Sequence, residues 1–142
     1  MNRTYLLPVF TTVAALGSAC GSSIDGSWDL TRVISEGSTY NYPVTATETY
    51  DGITYTSVVS LGMVIDKDET ATITQMYSYS VTGQSDEIET YTYNGSWSKG
   101  DNKTYGITFS EMDLNMTCTL EDDDLDCDDG DGTQIIFSPA DE

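Results

Sequence analysis

Histidine is absent, and bases are scarce: 5 Lys and Arg stand against 24 Asp and Glu, for a formal net charge of -19. Without histidine the chain lacks the usual neutral-pH base, the commonest zinc ligand and every Ser-His or Cys-His nucleophile pair. With so few cations no basic patch can meet phosphates, which excludes nucleic acid as a partner. Helical periodicity is hard to find, and no apolar run reaches the ~20 residues that a bilayer span needs. What is present is apolar enough to fold, because 38% hydrophobic and 11% aromatic residues exceed what a disordered acidic chain carries. A length of 142 residues fits one domain.

Residues 1–19 read as a signal peptide. Met1, Asn2 and Arg3 give a short positive start, residues 5–16 are mostly apolar, and Gly17, Ser18 and Ala19 are small. The next residue is Cys20. Leu16-Gly17-Ser18-Ala19-Cys20 resembles a bacterial lipobox, with Leu16 one position further from the cysteine than that motif's leucine. The resemblance implies a membrane anchor through acylated Cys20. With Gly21 rather than Asp next in line, it implies the outer membrane. The alternative is ordinary cleavage after Ala19, which leaves a free Cys20 on a secreted or periplasmic protein. Cysteine arithmetic favours the lipobox, since three cysteines leave one unpaired and lipidating Cys20 removes it. Residues 20–25 are then expected to be a tether, 26–138 the folded domain and 139–142 a tail.

The domain reads as eight strands, at 26–34, 53–65, 70–81, 88–97, 105–109, 112–121, 124–128 and 133–138. Period-two alternation carries the assignment. In the sixth, Met112, Leu114, Met116, Cys118 and Leu120 alternate with Asp113, Asn115, Thr117 and Thr119. Residues 35–52 read as a long polar connection containing Pro43. Short turns between successive strands favour an antiparallel up-and-down meander. Eight strands with one apolar face bury it by closing into a barrel, which also removes exposed edges. A two-sheet sandwich is the alternative.

Gly26-Ser27-Trp28-Asp29-Leu30-Thr31 looks like the Gly-x-Trp opening strand of lipocalin-like domains. Gly95-Ser96-Trp97 is similar to a mid-barrel strand of bacterial lipocalin-like lipoproteins. No Arg lies near the C-terminal end to pack over the first tryptophan, and Trp28 is expected to plug one end of the barrel. A two-residue turn at Asp122-Asp123 sets Glu121 opposite Asp124 and Cys118 opposite Cys127. That is a non-hydrogen-bonded pair, close enough for a disulfide.

Three features bear on function. Tyr55, Tyr77, Tyr79, Tyr91, Tyr93 and Tyr105 fall on inward positions, where buried phenols need polar partners. They suggest a barrel lined to bind a small apolar or aromatic ligand. Glu121 to Gly132 holds eight acids in twelve residues. Asp126, Asp128 and Asp131 could contribute to a weak divalent-cation (Ca²⁺) site, or the run is a solvated face that blocks edge pairing. Asp129 stands where an EF-hand needs Gly. Nothing calls for a cofactor, and carboxylate pairs among 24 acids do not argue for an enzyme. Two functions stay open: a ligand-binding lipoprotein, or a structural or interaction lipoprotein of the envelope with a filled core.

Overall fold

The structure is a computed structural model and describes residues 23–141. The signal-peptide and Cys20 readings lie outside the described residues. Ten strands run β1 (Gly26–Ser35), β2 (Ser38–Asn41), β3 (Val44–Tyr50), β4 (Ile53–Ile65), β5 (Thr70–Val81), β6 (Glu87–Lys99), β7 (Thr104–Phe109), β8 (Leu114–Glu121), β9 (Asp124–Asp128) and β10 (Gln134–Pro139).

Eight of them form an antiparallel barrel in the order β1-β10-β9-β8-β7-β6-β5-β4, closed by pairing of β1 with β4. These are the eight strands expected from alternation. The closing seam is short: Gly26 faces Ile65, Ser27 faces Val64, Trp28 faces Met63 and Asp29 faces Gly62. Beyond it β1 and β4 diverge, and each takes a new partner. β2 pairs with the second half of β1, and β3 pairs with the first half of β4. The expectation of a structureless polar connection over 35–52 is therefore corrected. Both strands are exposed along their whole length; β2 is too short to show a pattern, and in β3 Glu48 interrupts the alternation of Val44, Ala46 and Tyr50 with threonine. Met112, assigned to the sixth strand, instead sits in a 3₁₀ turn, Ser110–Met112.

The core fills the end of the barrel nearest the seam. Met63, Ile73, Tyr105, Ile107, Phe109 and Phe137 are each at most 1% exposed. Burial of such side chains contributes about 1.5–3 kcal/mol each. Apart from the Tyr105 phenol and the Trp28 indole N–H, no polar side-chain group is buried among the described residues. Trp28 is buried, as a plug should be, and its indole N–H donates to the Ile24 carbonyl at 2.9 Å. Ile24 is itself fully buried, so the expected tether over 20–25 is shorter than it looked. β1 shifts register between Leu30 and Arg32, and the Thr31 hydroxyl donates to the Ile136 carbonyl at this bulge. Ile136 and Phe137 are both buried, which accounts for the ambiguous run in β10.

Gly95 marks the tightest packing. A Cβ there would lie 2.3 Å from the Thr108 carbonyl oxygen and 2.6 Å from Phe109 Cδ1. Only glycine lets β6 approach β7 this closely. Trp97 of the same Gly-Ser-Trp segment donates its indole N–H to the Asp66 carbonyl at 2.7 Å. The predicted hairpin has the expected register. Glu121 faces Asp124, Leu120 faces Leu125, and Cys118 faces Cys127 in a formed disulfide. Asp122 and Asp123 take positive φ of 49° and 69°, the backbone of a two-residue turn that asparagine, aspartate and glycine tolerate best.

Candidate binding face

β4, β5 and β6 have 12 or 13 residues, whereas β7 to β10 have 5 to 8. The surplus cannot be covered by the shorter strands opposite. It rises past the barrel rim, joined by β3, as a single sheet of four strands open to solvent on both faces. At about 3.3 Å per residue, Ile53 stands roughly 30 Å along β4 from Gly62, the near end of the seam. One face carries threonine and serine, with Thr47 to Thr56 and Thr49 to Thr54 hydroxyl contacts of 3.4 and 3.1 Å across β3 and β4. The other face continues the barrel interior and carries the tyrosines.

The six tyrosines assigned to the interior are thus divided. Tyr105 alone is fully buried, at 1% exposure, and burial raises its phenol above the ordinary value. Tyr93 and Tyr55 are half-buried. Tyr77, Tyr79 and Tyr91 are exposed, at 38%, 44% and 46%. The expectation of one tyrosine-lined interior is corrected to an exposed face. The shared face is as expected, but the covering layer stops short. The signal was in the sequence as a mismatch of strand lengths.

The exposed rings pair across strands. Tyr77 and Tyr91 meet edge to face at 5.9 Å, and Tyr55 and Tyr79 lie 6.5 Å apart. Gln75 Nε2 donates to the Tyr77 hydroxyl at 2.7 Å, and the Tyr91 hydroxyl donates to Glu89 Oε2 at 3.1 Å. This bond raises the Tyr91 phenol, and the glutamate charge opposes its ionisation further. Gln75, Tyr77, Glu89, Tyr91 and Tyr93 together line an open cleft of about 270 Å³. Glu89 was not among the candidates from sequence, since one acid in 24 carries no signal until its neighbours are known.

The acidic run is placed elsewhere. Thr117, Thr119, Glu121, Asp126, Asp128 and Gln134 line a shallow hollow of about 490 Å³ on the outside of β8 to β10. Asp126 accepts from Gln134 Nε2 through both oxygens, at 2.8 and 2.7 Å. Asp128 Oδ1 accepts from the Gly130 N–H. Asp131 is exposed in the turn that follows. Asp129 accepts from the Asp131 and Thr133 N–H groups, which hold its carboxyl below the ordinary value. Among the described residues no three Asp, Glu or Cys side chains gather in a metal-holding arrangement.

Compared with protein families, with curated proteins and with solved structures, the chain matches none. The architecture, a small eight-stranded barrel, is compatible with a lipocalin-like fold.

Proposed function

We propose that this is a lipid-anchored envelope protein of the outer membrane that binds a small apolar or aromatic ligand on the open tyrosine face. It is read as a binding protein, not an enzyme. The observation that supports it is the Tyr77–Tyr91 corner, an exposed pair of rings over a polar-edged cleft. Aromatic side chains left in water on one face are a recurrent mark of interaction sites. The proposed anchor complements this placement. The described chain begins beside the seam, and the tyrosines lie at the far end of β4 to β6. An acylated Cys20 would hold the barrel on the membrane and the binding face away from it.

The test of the ligand is titration with indole, followed by tyrosine fluorescence and by backbone amide shifts. Shifts confined to Tyr77, Tyr91 and Tyr93, lost in Tyr77→Ser/Tyr91→Ser, support the reading. An unchanged spectrum in the presence of indole overturns it. The test of the anchor is Cys20→Ser, which should move the protein from membranes into a soluble fraction. A variant still membrane-bound after a high-salt wash overturns the anchor. The filled barrel core favours a second reading, an envelope interaction protein with no small ligand. That reading predicts no indole response at all.

A further inference from the structure

Each glutamate on the open face stands directly across from a tyrosine of the neighbouring strand. Glu48 faces Tyr55, Glu87 faces Tyr79, and Glu89 faces Tyr77. Directly opposed residues are the closest side-chain neighbours in an antiparallel sheet. Residues 44–60 and 76–92 contain five acids and neither Lys nor Arg. Aromatic rings present a negative face and a positive edge. A group settling on this surface therefore meets carboxylate charge and ring faces of the same sign.

That combination discriminates among ligands. An anion is repelled by the carboxylates and by the net charge of -19. A neutral apolar molecule uses the rings and leaves the carboxylates unengaged. An organic cation uses both, because its methyl or methylene groups pack on the rings while its charge is met by the quadrupole and by glutamate. We infer that the corner made by Tyr77, Tyr91 and Glu89 is a binding site for a small organic ammonium ion, such as a quaternary or alkylated amine. This rests on the proposed ligand-binding role of the open face and names its ligand class. The 5.9 Å edge-to-face pair sets two ring surfaces at 84°, a corner that a compact, rounded cation can enter. Glu89 is held beside it by the Tyr91 hydroxyl, and Gln75 Nε2 donates to the Tyr77 hydroxyl, so both rings of the corner are fixed by a neighbour. The cleft of about 270 Å³ suits a ligand of a few heavy atoms.

The experiment compares choline with its uncharged isostere, 3,3-dimethylbutan-1-ol, on the full folded domain. Both are titrated at matched ionic strength and read by backbone amide shifts and tyrosine fluorescence. Choline should bind more tightly than the isostere by about two- to fivefold, the range of an exposed cation–π contact. Glu89→Gln should weaken choline by a similar factor and leave the isostere unchanged, so the isostere also reports that the sheet is intact. Tyr91→Leu should weaken both. Equal binding of the two ligands, or an undiminished choline affinity in Glu89→Gln, overturns the ammonium assignment and leaves the apolar reading standing. Absence of binding by either ligand overturns both.

Discussion

β4, β5 and β6 pass through two environments in one run of chain. Near the seam their inward residues are Met63, Ile65, Ala71 and Ile73, all at most 1% exposed. A few residues along the same strands, on the same face, Tyr77, Tyr79 and Tyr91 stand in water. Backbone pairing is continuous across the change, since β4 and β5 match residue for residue from Tyr55–Val81 to Ile65–Ala71. What differs is the layer opposite. Where β7 to β10 face the strands, apolar side chains interlock. Where those strands end, side chains become amphipathic, and tyrosine replaces isoleucine and methionine. Strand pairing alone therefore holds a sheet together, but its stability is set by what covers it.

The sharpest way to break this comparison is to truncate one ring at each end. Phe109→Ala should cost about 3–5 kcal/mol in urea unfolding, the usual range for a buried phenylalanine. Tyr79→Ser, on the open sheet, should stay within about 0.5 kcal/mol of wild type. Equal costs would mean that the two regions unfold as one equally packed body. Gly95→Ala comes next. Its methyl group would press on backbone as well as on the Phe109 ring, so the barrel should lose about 2–3 kcal/mol. A neutral result would mean that β6 and β7 can part freely.

Replacing both Cys118 and Cys127 with serine should cost about 2 kcal/mol, a modest amount because the closed loop is short. Intact mass with and without reductant should differ by two hydrogens in the wild type. The loss should fall on the barrel, leaving amide protection around Tyr77 unchanged. The smallest effect belongs to Asp129. Its carboxyl is held below the ordinary value by two backbone N–H groups, so its contribution is present at neutral pH. That contribution is lost as pH falls through the lowered folded value. Asp129→Asn should differ slightly from wild type at neutral pH and converge with it in acid. Divergence in acid instead would reverse the sign of the linkage.

The sequence was most legible where one face is dry. The eight barrel strands follow from alternation between apolar and polar residues, and the disulfide from counting outward from Asp122-Asp123. β2 and β3 were illegible for the opposite reason. In β3, Thr45, Thr47 and Thr49 do alternate with Val44, Ala46 and Tyr50, but Glu48 breaks the apolar face and both faces are wet, so the pattern marks no interior. The tyrosines show the subtler limit. Alternation says which residues share a face, but not whether a second layer reaches that far. The glutamate partners of Tyr55, Tyr77 and Tyr79 required the register of two strand pairs at once, which spacing along a single strand does not contain.

The short seam has a mechanical meaning. In the proposed state, with Cys20 anchored and a ligand bound at the far end of β4 to β6, a pull would enter the barrel through Gly26 and leave near Tyr77, along the strands. Hydrogen bonds in an antiparallel pair lie across that direction. They are loaded side by side, in shear, so the four seam pairs and the β1–β10 ladder share the force. Pulled from the side, the same seam would open one pair at a time. The protein is thus built like a strap, strong along its length and easily peeled across it.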